Sequence, residues 1–292
     1  MTLQGFIIQI LSGLSTGMVI FLIAVGLSLI FGTLRILNLA HGALYMMGAY
    51  MAYWISSVVV QASGSFWWAL LLAPVGVALF GGLVEVLLLR RIYDREHLDQ
   101  YLLTFALVLV VGDLCKLAWG VEFLLVSSPW PFNGAVIVAG MPFPSYNVFL
   151  IFCGPLIFAG LWALIRFTRL GKIIRAMTYN REMANALGTN VPLMYTVVFM
   201  LGCWLAGLGG ALVIPTSSAM PGMDMLVLID CFIIVVIGGL GSLPGAFLGS
   251  LIFGLVTAFG ILVAPRLAVA FGFILMIIVL IIRPWGLMGK PE

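Results

Sequence analysis

The sequence predicts an all-α, polytopic membrane bundle, and three observations carry that prediction. Of 292 residues, 64% are hydrophobic and only 8% charged, with a mean hydropathy of +1.26, which leaves too little polar surface to cover a water-soluble globule. The apolar residues come in repeated runs of about 20, the length that crosses a hydrocarbon core of roughly 30 Å. Backbone groups in lipid must be paired within their own segment, so each such run is expected to be a helix.

Nine helices are expected, near 5–31, 36–60, 67–89, 101–119, 146–165, 193–214, 226–240, 243–263 and 267–282, of which about eight or nine cross the membrane. The first lacks the positive start and small-residue cleavage site of a removable signal, so it is expected to stay in the protein. The second can break at Asn38–Gly42, and the seventh is short for a full span. No polar stretch is long enough to bury a core of its own, so residues 1–292 are read as a single transmembrane domain with no soluble catalytic domain attached.

Orientation follows from the basic residues, which favour the cytoplasmic side. Arg90, Arg91 and Arg95 share one loop, Arg166, Arg169, Lys172, Arg175 and Arg181 another, and Arg283 and Lys290 the tail. All three are expected on the cytoplasmic side, and the three helices after residue 220 return the chain there. The outer segment 120–145, rich in Pro, Gly and aromatics, is expected to form turns and an extended pair over the outer mouth. Asp224, beside Pro221 and Gly222, is expected to cap the helix that follows.

Between Arg166 and Leu193 the apolar runs are interrupted by GKIIRAMTYNREMANALGTNVP, a short, basic, helix-forming stretch ending in Gly and Pro. A bundle that presents such a cytoplasmic helix, about 172–190, reads as one that can be pushed from outside the membrane. A basic surface helix that only anchors orientation is the other reading.

Ionisable groups within apolar segments are costly and tend to face protein or water. Glu85 is close enough to pair with Arg90, and Asp113 and Lys116 stand i, i+3 on one helix face, where they can neutralise each other. Asp230 has no evident partner, so a substrate role and a buried polar contact are both open. Asn38, His41 and Tyr45 form an i, i+3, i+7 polar stripe, which faces the bundle interior either as hydrogen-bonded core or as the lining of a translocation path. In the run 237–254, Gly241, Gly245 and Gly249 are four apart and predict a face on which a neighbouring backbone approaches closely, with Gly238 and Gly239 at its start. No Lys-Ser/Thr follows these glycines, so they are no nucleotide loop. Cys115, Cys153, Cys203 and Cys231 lack the spacing of a metal or redox site. The two histidines, His41 and His97, are too far apart in sequence to suggest a membrane enzyme.

Four ordered stretches together carry a resemblance across nearly the whole chain: Asn38-Leu39-Ala40-His41-Gly42, LVEVLLLRRIYDREHLDQYLLTFAL from Leu83, Ala186-Leu187-Gly188-Thr189-Asn190, and Gly238-Gly239-Leu240-Gly241-Ser242-Leu243-Pro244-Gly245. They resemble the permeases of branched-chain amino acid ABC importers, and within them the member of the permease pair that carries N-x-A-H-G. The resemblance implies a non-enzymatic subunit in a bacterial cytoplasmic (inner) membrane. Its expected partners are a second homologous permease, two cytoplasmic ATPases and an external substrate-binding protein, and it binds no nucleic acid. No cofactor or metal is expected on this chain, ATP-Mg being used by the ATPase subunits. Glu182, Ala184 and Gly188 have the E-x-A-x3-G spacing reminiscent of the segment by which such permeases dock into an ATPase, although Met183 departs from E-A-A. Path residues are then Asn38, His41, Tyr45 and Asp230, and coupling residues Arg175, Glu182, Ala184 and Gly188. Substrates of the superfamily extend to urea, short amides and aromatic acids. An ATPase-independent secondary transporter or channel for a small solute is the alternative.

Overall fold

In the computed structural model, which describes residues 2–63 and 66–289 (of 59–63 the backbone alone), all nine expected helices are present. They are α1 (Leu3–Leu34), α2 (His41–Ser63), α3 (Trp67–Leu87), α4 (His97–Trp119), α5 (Ser145–Phe167), α8 (Val191–Val213), α9 (Met223–Gly238), α10 (Leu243–Val263) and α11 (Ala268–Ile282). Two more, α6 (Arg169–Tyr179) and α7 (Arg181–Ala186), make up the basic stretch, and a hairpin, β1 (Ala135–Val138) and β2 (Met141–Pro144), lies in the segment 120–145. Seven helices are long and apolar enough to cross a membrane. Neither α2 nor α9 is among them, and α9 has only 16 residues.

The centre of the bundle is α1. Its first turn is capped by Thr2, whose hydroxyl accepts from the Gly5 N–H at 3.3 Å. At 32 residues it runs about 48 Å, and everything from Met18 to Ile30 is buried. It packs on α8, α10, α5 and α9. Small residues allow this crowding: a side chain at Gly17 would strike the Ser250 carbonyl, and one at Gly254 the Gly13 carbonyl.

The two ends of the bundle are distinct. At one end the hairpin β1–β2 turns at Ala139–Gly140, beside Gln4 at the start of α1. In the same outer segment Leu124 pairs with Ala219 through two backbone hydrogen bonds of 3.0 and 2.9 Å. At the other end stand the 88–96 loop, α6, α7 and residues 283–289. Arg181 reaches Asp94 at 3.4 Å, and Leu287 and Met288 donate to the carbonyls of Ile237 and Gly238 at 2.8 and 3.0 Å. The expected clustering of the basic loops on one side therefore holds for the described residues; Lys290 lies outside them. The extended pair expected in 120–145 is the hairpin.

The break that the sequence allowed at Asn38–Gly42 is present: the second helix starts at His41, Arg35 takes a left-handed conformation (φ 55°), and residues 35–38 are irregular. Two expectations need correction. The basic stretch is two helices, not one, broken at Asn180, whose extended backbone (ψ 103°) ends α6 while its side chain accepts from Met183 N–H at 2.9 Å to start α7. The cap of α9 is Gly222 (φ 92°), with Asp224 inside the first turn.

Candidate translocation path and coupling face

The start of α2 is held in the middle of the bundle by polar groups. Asn38 accepts from the Ala40 N–H at 3.1 Å, a local turn that stops the helix from beginning earlier. His41 Nε2 meets the carbonyl of Ile23 on α1 at 2.9 Å, and its ring lies against Gly26. Both residues are fully buried, yet Asn38 Nδ2 and His41 Nδ1 have no partner among the described residues. Tyr45 is buried one turn further on. The three residues do share the bundle interior, but Asn38 lies outside the helix, so the stripe is not the helical i, i+3, i+7 row that its spacing suggested.

Two helices begin at this level. Gly42 sits so close to α9 that a side chain there would strike the Asp224 carbonyl. From that point α2 runs toward the hairpin end, whereas α9 runs toward Gly238 and the basic end. Short helices that start inside a bundle aim the positive ends of their dipoles at its interior. Asp230 is half-buried on α9, and no hydrogen bond or ion pair engages it among the described residues.

The glycine seam is a close backbone contact. A side chain at Gly245 would collide with the Gly238 carbonyl, and one at Gly249 would meet the Ile234 carbonyl at 3.0 Å. Gly239 (φ 98°) turns the chain out of α9 beside Gly286 and Gly289. Gly241 precedes α10 instead of sharing its face with Gly245 and Gly249, and packs on Gly32 of α1.

At the basic end, Glu85 is fully buried and three groups answer it. The Thr196 hydroxyl donates to it at 2.7 Å and the Tyr93 hydroxyl at 2.8 Å, with Arg90 at 3.5 Å. The expected Glu85–Arg90 pair is thus present as the longest of three contacts. Burial first, and then the neighbouring Glu85 charge, push the Tyr93 phenol up, so it stays a proton donor throughout the physiological range. The Asp113–Lys116 pair also forms, at 2.9 Å on an exposed face.

The coupling residues divide. Arg175, Glu182 and Gly188 are exposed, whereas Ala184 is buried and packs with Met177 against Tyr195. Gly188 takes φ 85°, which a side-chain-bearing residue adopts only under strain. Tyr179, Met183 and Leu187 are 94%, 59% and 79% exposed, three large apolar groups on a polar surface outside the spans. Sequence reading missed them, although apolar residues at four-residue spacing in a basic loop were the available signal. Beside the contact with Tyr195 lies a cavity of about 440 Å³, lined by Arg35, Tyr93, Gln100, Arg181, Glu182 and Tyr195 among others. Among the described residues no cluster of three His, Cys, Asp or Glu could hold a metal.

A multi-helix bundle with two helices starting in its interior and a helical pair at one end suits a membrane transport component. The chain belongs to the family described as branched-chain amino acid transport system / permease component, whose model matches residues 9–280. It is 30% identical to the high-affinity branched-chain amino acid transport system permease protein BraD of Pseudomonas aeruginosa, over 97% of this chain and 96% of that one. It is 26% identical to the high-affinity branched-chain amino acid transport system permease protein LivH of Escherichia coli, over 98% and 96%. It is also 26% identical to the probable branched-chain amino acid transport permease protein LivH of Methanocaldococcus jannaschii, over 92% and 88%. No solved structure matches. Family membership makes the chain a transport component and not an enzyme.

Proposed function

We propose that the chain is the transmembrane permease subunit of an ABC importer for branched-chain or other small, mainly apolar amino acids. In this reading residues 1–292 act as one permease domain in a bacterial inner membrane, as the N-x-A-H-G member of a permease pair. It works with a homologous second permease, two ATPases that use ATP-Mg, and an external substrate-binding protein. The observation that carries it is the exposed α6–α7 segment of a family permease, which presents three large apolar side chains amid charged ones and is seated inward on Tyr195 through Met177 and Ala184. Tyr179, Met183 and Leu187, with Arg175, Glu182 and Gly188, offer a surface for an ATPase cleft. Movement of that segment passes to α8, and from Thr196 through Glu85 to α3, because packed helices shift as bodies rather than deform. The path runs past Tyr45, Asn38 and His41, with Asp230 further toward the basic end. The seam of Gly238, Gly245 and Gly249 keeps α9 and α10 together as they move, while Gly239 holds the end of α9 to the tail and Gly241 holds the α9–α10 turn to α1.

Gentle extraction of the tagged protein from a bacterial membrane, followed by mass spectrometry, tests this. Stoichiometric recovery of a Walker-containing ATPase, lost when 172–190 is altered, is the expected result. A clean homo-oligomer without an ATPase would instead favour a secondary transporter or channel.

A further inference from the structure

The cavity of about 440 Å³ at the basic end carries chemistry that the translocation path does not use. Its walls come from four parts of the chain: Arg35 between α1 and α2, Gln100 in the first turn of α4, Arg181 and Glu182 at the start of α7, and Tyr195 of α8. Arg181 is committed to Asp94 at 3.4 Å. Arg35 and Glu182 line the same cavity with opposite charges, yet neither side chain makes an ion pair or hydrogen bond among the described residues. Gln100 is 3% exposed. Its Nε2 donates to the carbonyls of Ile92, Tyr93 and Arg95 at 3.3, 3.3 and 3.2 Å, whereas its Oε1 is buried with no donor among the described residues. A buried acceptor left unanswered is costly.

These features select a ligand. The volume suits a small molecule, lying within the range of roughly 300–1,000 Å³ usual for such sites. A cation and an anion on the walls of one cavity, too far apart to pair, fit a solute that carries both charges. A guanidinium takes a carboxylate through two parallel N–H bonds. An ammonium has three donors, enough for the Glu182 carboxylate and the Gln100 oxygen together. A purely anionic solute would answer Arg35 and meet a like charge at Glu182, and a purely cationic one has the reverse fault.

We propose that this cavity is a second amino acid site, facing the cytoplasm, at which the accumulated zwitterion holds the α6–α7 segment and slows its own import; this rests on the importer reading above. The carboxylate is taken by Arg35 of the bundle and the ammonium by Glu182 of α7. A solute held in this way ties the segment to the bundle at a second place, beside the contact of Met177 and Ala184 with Tyr195. Because a ligand favours the arrangement it binds best, the segment stays in place and the ATPases that must move it are slowed. Import then falls as the internal pool rises.

The test uses the whole complex, both permeases with the ATPases and the binding protein, in proteoliposomes with ATP-Mg inside. Initial uptake of radiolabelled leucine is measured with and without unlabelled leucine in the lumen. Saturating lumenal leucine is expected to lower uptake and ATP hydrolysis together by about fivefold or more, fivefold being the weak end of usual coupling between sites. Arg35→Gln should import at the wild-type rate into leucine-free vesicles and escape the inhibition, and Arg35→Lys should retain part of it. On the wild type, lumenal leucinamide and N-acetyl-leucine, each lacking one of the two charges, should leave uptake unchanged. Undiminished inhibition in Arg35→Gln would overturn the site, because the inhibition then arises in the path or on the ATPases. Equally strong inhibition by either analogue would overturn it too, as would an Arg35→Gln complex whose uptake is already low without lumenal leucine, which marks a structural role. If Arg35→Gln does not assemble, the two analogues decide. Wild-type uptake that ignores lumenal leucine overturns this site and leaves the importer reading standing, whereas a wild-type complex that takes up neither leucine nor any other amino acid overturns both.

Discussion

The hydroxyl of Thr196 on α8 donates to the carboxylate of Glu85 on α3 at 2.7 Å, and the same oxygen accepts from Arg90 at 2.6 Å. One small side chain thus stands between a guanidinium that is 38% exposed and a carboxylate that is fully buried. Thr196→Val keeps the shape and removes both bonds. The expected cost is about 1–3 kcal/mol, because the buried acceptor loses a donor, and Thr196→Ser should restore most of it. Thermal unfolding of the two variants in the same detergent checks this, and equal midpoints for valine and wild type would remove Thr196 from the α3–α8 link.

Gly238→Leu is expected to be among the most damaging single changes in the chain. Its side chain would run into the backbone of Gly245 and Ala246, where no rotamer can relieve the clash, and overpacking costs about 1–3 kcal/mol or more. The yield of monodisperse protein after extraction is the measurement. Gly134→Leu, at an exposed position with nothing near its Cβ, should extract like wild type.

Replacement of Met183 and Leu187 by Asp should leave the fold intact, since both side chains are largely exposed and such changes usually shift stability by no more than about 0.5 kcal/mol. Recovery of the ATPase should nevertheless fall sharply, as apolar anchors dominate docking surfaces. Undiminished recovery would move the docking surface elsewhere on the basic end.

At Gly188, where φ is 85° and the position of a Cβ is open, Gly188→Val is expected to insert normally and to lose ATP-dependent uptake. The left-handed conformation costs a β-branched residue roughly 1–2 kcal/mol, which shifts the end of α7 rather than the bundle. Normal uptake by a stably inserted variant would sink the role given to this turn.

The nine long apolar helices, seven of them long and apolar enough to cross a membrane among the described residues, were legible in the sequence because a run of apolar residues in lipid has no alternative to intrasegment hydrogen bonds. The hairpin was legible from its turn-forming composition. Where a short side chain competes for the backbone, the reading was uneven. Asn38 takes the Ala40 N–H and delays α2, within the break the sequence allowed at Asn38–Gly42, whereas Asn180 takes the Met183 N–H and splits the basic stretch into α6 and α7, which was not foreseen. Asn180 sits in a segment whose composition suits a helix, and only local geometry shows that break. Pairs across helices had no local signal at all: Glu85 and Thr196 are 111 positions apart. Of the proposed path, Asn38, His41 and Tyr45 announced themselves as polar groups in an apolar run. Asp224 read as a helix cap because Pro221 and Gly222 precede it, and its burial could not be read from sequence.

The contact of Leu287 and Met288 with the end of α9 bears on how the protein is made. The carbonyls of Ile237 and Gly238 receive these two donors only after α10 and α11 have been synthesised and threaded, so the basic end of α9 must wait, unfinished, while the following hairpin of helices inserts. A ribosome pausing between Val263 and Ala268 would leave that end open for longest, and a chain cut short before Arg283 would keep the α9–α10 seam but never complete it. Leu287 and Met288 thus act as a latch on the end of α9, set once α11 is in place.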